Sequence, residues 1–314
     1  MKKNKRLFIL MLGIVLLLVL GACGNKESQG EESKKLKVVT TFYPMYDFTK
    51  NIVQDKADVS LLIPAGTEPH DFEPSAKMVA AIEGADVFVY NSDEMETWVP
   101  STLEAVDTRK VTVINASKGI QFIEGTDSEE EEHAGEKDHH HAVDPHVWLN
   151  PILAQTEVDN IQAGLAKADK ENEAFYQKNA SEYNQKLKQL DQEFKEFFRN
   201  AENRTFVTQH AAFAYLAKQY NLTQISISGL SSETEPSPSK LAELSKYAKK
   251  NKIRYIYFES NASSKIAETL AEEAGVELAI LDPIEGISQK EQDAGLDYIQ
   301  VMKNNFESLK KSIQ

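Results

Sequence analysis

Short β-branched runs alternate with helical stretches over most of the chain. From Leu36 onward the first half carries the apolar runs "LKVVTT", "ADVSLLI", "ADVFVY" and "KVTVI", with helical patterns near 44–54, 75–83 and 95–106. The second half repeats the arrangement with "RTFVTQ", "TQISIS", "RYIYF" and "VELAIL", and its helical patterns fall near 211–220, 238–250, 261–274 and 293–313. Strands alternating with helices predict an α/β fold with parallel sheets built from right-handed crossovers. Four strands in each half predict two similar lobes.

Residues 171–200 break this rhythm. The stretch "ENEAFYQKNASEYNQKLKQLDQEFKEFFRN" has no Pro or Gly, and Phe175, Tyr176, Tyr183, Leu187, Leu190, Phe194 and Phe197 recur at helical steps. This predicts one rigid connecting helix, about 45 Å long at 1.5 Å per residue, in preference to two helices broken near Asn179. "NPILAQTEVDNIQAGLAKAD" before it reads as a further helix with Pro151 in its first turn. The expected division is an N-terminal lobe over 36–170, the connecting helix over 171–200, and a C-terminal lobe over 201–314.

Two segments stand outside this core pattern. Lys2, Lys3, Lys5 and Arg6 precede an apolar run from Leu7 to Leu20 that ends in "LGAC". A basic start, a short apolar stretch and small residues before a cut site predict a secretory signal over 1–22. Cys23 is then the first mature residue and the site of lipid attachment, with 23–35 a polar tether. Residues 125–141, "GTDSEEEEHAGEKDHHH", have no apolar residue except Ala134. They predict a surface loop of the first lobe, acidic and carrying His133, His139, His140 and His141.

Charge and cysteine content narrow the function. The net charge is −14, and losing the four basic residues of the signal carries it to −18. Such a chain is not a nonspecific nucleic-acid binder and does not lie on an anionic membrane by charge. Cys23 is the single cysteine, which excludes an intrachain disulfide and a thiolate metal site. There is no H-E-x-x-H, G-x-S-x-G, Walker loop or G-x-G-x-x-G.

In open α/β sheets, ligands collect at the carboxyl ends of strands. His70 follows "VSLLI", His210 follows "RTFVTQ" at once, Glu259 follows "RYIYF", and Asp282 and Glu285 follow "VELAIL". His146 follows "KVTVI" after the acidic loop and precedes the helix at Pro151. Three neutral imidazoles and one carboxylate form a four-coordinate set suited to zinc. Strand position leaves Glu285, Glu259 and Asp282 open as the carboxylate, and a hard ligand at Asp282 would shift preference toward manganese. Asp144, Asp71 and Glu68 are candidate acceptors for imidazole N–H groups. Phe42, Tyr43, Trp98, Trp148, Phe213 and Tyr215 either wall the site or fill ordinary core. "GLSSETEPSPS" at 229–239 reads as a cleft-lining loop.

With "LGAC", "TFYPMYDFTKNI", "PAGTEPHDFEPS", "DPHVWLNP", "VTQHAAFAYLAKQYNL", "GLSSETEPSPSKL" and "LDPIEG" in this order, the chain resembles the ZnuA-type metal-binding lipoproteins of bacterial ABC importers for zinc and manganese. The resemblance implies two (β/α)4 Rossmann-like lobes joined by one long rigid helix, with the metal in the cleft between them. It implies a monomeric, extracytoplasmic, lipid-anchored solute-binding protein that passes its ion to a permease and its ATPase, and no enzymatic step. His70, His146 and His210 fall on ligand positions. Manganese members look to have a glutamate where this chain has His210, so the zinc branch is expected and Mn2+ comes second. The fourth ligand is similar to Glu285, which ranks above Asp282.

The sequence departs from the family in two ways. The histidine loop is short and mixed with acids, and the extra C-terminal metal-binding domain of some relatives is not present up to Gln314. The loop histidines read either as a weak zinc collector or as a solvated charge run. Two rivals from other classes are a secreted zinc hydrolase with three histidines and an open position for water, and a surface adhesin whose metal is incidental.

Overall fold

Both β-rich halves fold as four-stranded parallel sheets in the computed structural model, which describes residues 35–125, 143–232, 236–260 and 263–314. Cys23, His133, His139, His140 and His141 lie outside the described residues. The first sheet is built from β1 (Leu36–Thr40), β2 (Ala57–Leu61), β3 (Val87–Tyr90) and β4 (Thr112–Asn115), in the order β2-β1-β3-β4. Its crossovers are α1 (Tyr43–Val53), α2 (Ala76–Glu83) and α3 (Val99–Ala105). Every residue of β3 is buried, which is why "VFVY" is a continuous apolar run; a central parallel strand is covered on both faces.

After β4 the chain forms a small antiparallel pair, β5 (Ile123–Glu124) with β6 (Val143–Asp144), which brackets the acidic segment. Its pairs are too short to leave a periodic signal in the sequence. A single 3-10 turn at Val147–Leu149 leads into α4 (Pro151–Ala168), and α5 (Glu173–Phe198) follows.

α5 is an unbroken helix of 26 residues, about 39 Å long. Its buried face includes Tyr176, Ala180, Tyr183, Leu187, Leu190, Phe194 and Phe198. No break occurs at Asn179 because its amide is used across the interface, donating to the Ile52 carbonyl at 2.8 Å. Tyr183 donates to buried Asp47 of α1 at 2.7 Å. Further along, Phe194 stacks on Phe306 with ring centroids 4.5 Å apart. The helix is thus fixed at one end to α1 and at the other to the last helix of the chain.

The second sheet comprises β7 (Thr205–Thr208), β8 (Thr223–Ser226), β9 (Tyr255–Phe258) and β10 (Glu277–Ile280), ordered β10-β9-β7-β8 and parallel throughout. Its helices are α6 (Ala214–Gln219), α7 (Pro238–Lys250) and α8 (Lys265–Ala274). In each sheet the first strand lies between the second and the third, so both reverse direction at the same place. Crevices at such reversals open at the carboxyl ends of the strands.

The helix expected near 293–313 is shorter, α10 (Tyr298–Leu309), and a further short helix, α9 (Gln289–Asp293), precedes it. Gly295 between them has φ +87, a left-handed conformation that glycine adopts without steric cost. Asp297 then caps α10 by accepting from the Gln300 N–H at 2.7 Å.

Leu36–Gln314 form one compact unit. One buried apolar cluster runs from Val38 and Phe88 through Tyr183 and Phe194 to Phe213, Tyr298 and Phe306. A second, smaller one fills the outer side of the second sheet around Ile256 and Leu270. Phe194, in the first cluster, is fully buried and meets Phe198, Tyr220 and Phe306. Phe194→Ala is expected to lower unfolding free energy by about 3–5 kcal/mol, measured by urea denaturation of the metal-free protein.

Candidate metal centre

Four loops bring their side chains to one point. His70 comes from the loop after β2, and His146 from the turn between β6 and α4. His210 lies two residues past β7, and Glu285 on the loop after β10. The ligand atoms of His70, His146, His210 and Glu285 all lie within 4.8 Å of one another.

Local contacts fix each loop. The His210 carbonyl accepts from the Thr208 hydroxyl at 2.7 Å and from the Gln224 amide at 2.9 Å. Glu285 follows Ile284, whose φ is +63. A β-branched residue there is strained by about 1–3 kcal/mol, and surrounding contacts hold it. The Ile284 N–H donates to Asp282 Oδ1 at 2.7 Å, and Trp148 Nε1 donates to the Pro283 carbonyl at 2.7 Å.

Asp282, one of the alternative ligands, is therefore part of the support. Its side chain also accepts from the Ser260 hydroxyl, and its backbone exchanges hydrogen bonds with Asn305 at 2.7 and 2.8 Å. Burial pushes its pKa up to about 6. Glu259, the other alternative, accepts a hydrogen bond from Nδ1 of His210 and so stands behind that ring.

The distances suit a small divalent ion. His70 Nε2 and His146 Nε2 are 3.1 Å apart, and Glu285 Oε1 is 3.6, 3.3 and 3.6 Å from Nε2 of His70, His146 and His210. A tetrahedron with metal–ligand bonds of 2.0–2.1 Å has edges of about 3.3–3.4 Å. His210 Nε2 and Glu285 Oε1 are buried with no hydrogen-bond partner, a costly arrangement that a cation between them would relieve. His146 and His210 are almost fully buried, while His70 and Glu285 each retain 11% side-chain exposure toward the cleft.

Carboxylates behind two rings set their tautomers. Asp144 Oδ1 lies 2.8 Å from Nδ1 of His146 and also accepts its backbone N–H at 2.9 Å. With the proton held on Nδ1 by Asp144 and Glu259, Nε2 of each ring is the free donor facing the common centre. Glu68, expected as a ring acceptor, instead takes the backbone N–H of His70 at 3.1 Å and the Ser232 hydroxyl at 2.7 Å. Asp71 is exposed.

Of the aromatic candidates, Trp148 packs beside His146 with ring centroids 5.2 Å apart, and Phe42 meets Trp148 edge-on at 4.9 Å. Tyr215 donates to the Asp144 carbonyl at 2.7 Å. Phe213 is core, Tyr43 bonds Asp47, and Trp98 packs on Phe72 and Phe88 away from the centre. Asn305 and Tyr298, which brace the Asp282 and Trp148 backbones, had no signal in the sequence beyond lying on a helix.

Burial alone would lower the pKa of His210, but Glu259 and then Glu285 hold it well above the usual imidazole value. His146 is raised in the same way, against burial, by Asp144 and Glu285. Burial would raise Glu285, yet the facing imidazoles hold it well below the carboxylate range. A raised imidazole pKa stabilises the metal-free fold below the unfolded value near 6.5, and that contribution is lost as pH rises through the folded value.

Metal binding requires the neutral ring, so protons compete with the ion at higher pH than for a free histidine. Binding at pH 7 is expected to release about one to two protons. Calorimetry in two buffers of different ionisation enthalpy reads this number; heats independent of buffer would count against it.

A model of the periplasmic zinc-uptake complex component A family, ZnuA, matches residues 38–312. The chain is 51% identical to the high-affinity zinc uptake system protein ZnuA of Bacillus subtilis (strain 168), over 99% of this chain and 98% of that protein. It is 48% identical to the zinc-binding lipoprotein AdcA of Streptococcus pneumoniae (strain ATCC BAA-255 / R6), over 96% of this chain but only 60% of that longer protein. Among solved structures, the Zn(II)-bound ZnuA-like domain of Streptococcus pneumoniae AdcA superimposes with a TM-score of 0.77 at 46% identity, covering 88% of this chain and 98% of that one.

Proposed function

Because the chain belongs to the family of zinc-uptake complex component A, we propose that His70, His146, His210 and Glu285 are the ligands through which it holds Zn2+ for import. It is the extracytoplasmic zinc-binding component of an uptake system and not an enzyme. The observation that carries the ligand assignment is the convergence of these four donor atoms from four loops, with Nε2 of His210 and Oε1 of Glu285 otherwise unpartnered.

The chemistry follows from the donors. Three imidazole nitrogens and one carboxylate oxygen match the borderline softness of zinc and its tetrahedral preference. A manganese ion favours more oxygen ligands and a higher coordination number. Four protein donors close the zinc shell, leaving no position for the activated water that a hydrolase needs. The work of the protein is selection, enclosure and release. In this reading the monomer is tethered to the membrane through lipid on Cys23, and hands its ion to the permease of an ABC importer driven by its ATPase.

The test is a soluble form starting after Cys23 with residues 126–141 deleted, offered zinc and manganese together and read by native mass spectrometry. One tightly held zinc that manganese does not displace is expected. Loss of tight zinc binding on that deletion would move the site to the histidine-bearing segment and remove the four-ligand assignment.

A further inference from the structure

The inward face of α4 carries one acid. Pro151, Ala154, Val158, Ile161 and Leu165 form an apolar stripe, and Glu157 stands within it with no exposed surface. A glutamate in that place breaks the helix pattern, and such breaks point to function. A second buried acid, Glu96, faces the same region and also has no exposed surface. Neither takes part in the four-donor centre.

Their contacts lead to the metal-bearing turn. Ser117, just past β4, donates its hydroxyl to Asn91 Oδ1 at 2.7 Å and lies 3.4 Å from Glu157 Oε1. Asn91, just past β3, donates its amide to the Pro145 carbonyl at 3.2 Å. Pro145 immediately precedes His146. Glu96 pins the other side of Asn91, accepting the N–H groups of Asn91 and Ser92 at 2.9 and 3.0 Å and the Thr41 hydroxyl at 2.5 Å. The loops after β1, β3 and β4 are thereby gathered into one buried polar layer beneath His146.

We propose that Glu157 is a positioning residue for zinc binding, its carboxyl group heading a hydrogen-bond chain through Ser117 and Asn91 that fixes the Pro145–His146 backbone. The proposal rests on His146 being a zinc ligand. The single Ser117 hydroxyl proton goes to the nearer acceptor, Asn91. Glu157 completes the chain only by supplying a proton of its own to Ser117 Oγ. It is suited to do so: burial drives its pKa well above the carboxylate range, and the charge of Glu96 adds to the effect. Its Oε2 has no hydrogen-bond partner, which a charged group in that place would not tolerate.

Glutamine keeps the shape and a donor, whereas leucine keeps only the bulk. Zinc affinity by competition with a chromophoric chelator, and the melting temperature with and without zinc, are measured for Glu157→Leu, Glu157→Gln and Ser117→Ala beside the parent and His210→Ala. Glu157→Leu and Ser117→Ala are expected to weaken zinc binding about 10–100-fold, the range for outer partners of a metal ligand. Glu157→Gln should stay within about threefold of the parent, and the zinc-induced rise in melting temperature should shrink in step with affinity.

A burden on folding alone would leave zinc affinity unchanged in Glu157→Leu, with the metal-free protein as stable as before or more so; that result overturns the proposal. Equal losses in the Gln and Leu variants also overturn it. If Glu157→Leu does not fold, Ser117→Ala decides by the same criterion. Unweakened zinc binding by His210→Ala would instead remove the ligand assignment, and the proposal with it.

Discussion

His210→Ala is expected to weaken zinc binding by more than about 100-fold, the upper end for losing an outer-shell partner. This exceeds roughly 2.7 kcal/mol of binding free energy. The ring is almost fully buried, Glu285 is 3.6 Å from its Nε2, and Glu259 orients it from behind. Alanine removes one of four donors from a group whose side chains are at most 11% exposed. It also strands the Glu259 carboxylate, which is only 5% exposed, so the metal-free fold should lose stability as well. Glu259→Gln separates the two effects: it keeps the ligand and should cost about 10–100-fold in affinity. Chelator competition reads both variants, and an unchanged affinity in His210→Ala would sink the ligand assignment.

Trp148→Ala should produce the largest loss of stability, about 3–5 kcal/mol from the buried indole, with the Pro283 carbonyl left unsatisfied at a further cost of about 1–3 kcal/mol. The residue has no exposed surface. Phe42 packs on its edge, its N–H donates across to Pro283, and its carbonyl accepts from Tyr298. It lies two residues after His146, and Pro283 lies two before Glu285. The indole thus ties the backbone carrying one proposed ligand to the backbone carrying another. Trp148→Phe keeps most of the packing and removes the N–H; it should lower zinc affinity by about tenfold with a smaller loss of stability. Urea unfolding and zinc competition on both variants check this. A Trp148→Ala protein as stable as its parent would show that the two halves are held together elsewhere.

The central strands of both sheets were legible because a parallel strand covered on both faces must be apolar along its length, as in "VFVY" and "RYIYF". The connecting helix was legible because thirty residues without Pro or Gly carried a helical apolar face. His70, His146 and His210 stood out because they follow strand ends in a chain with few histidines. At the end of the chain the helix expected near 293–313 begins only at Tyr298, because Gly295 turns the backbone and Asp297 caps α10.

The order of strands and helices, the three histidine positions and the donor chemistry that favours zinc were set by the sequence alone, because periodicity and residue type are local properties. The tertiary structure decided which of three nearby carboxylates meets the histidines. Glu259, Asp282 and Glu285 all follow strand ends, but the positive φ of Ile284, the Asp282 clamp and the Trp148–Pro283 hydrogen bond turn only Glu285 into the group. Glu157 reads in the sequence as one more polar residue on a helix. Its burial beneath His146 follows from how α4 packs on the first sheet, and side-chain direction and long-range packing are not encoded in spacing along the chain.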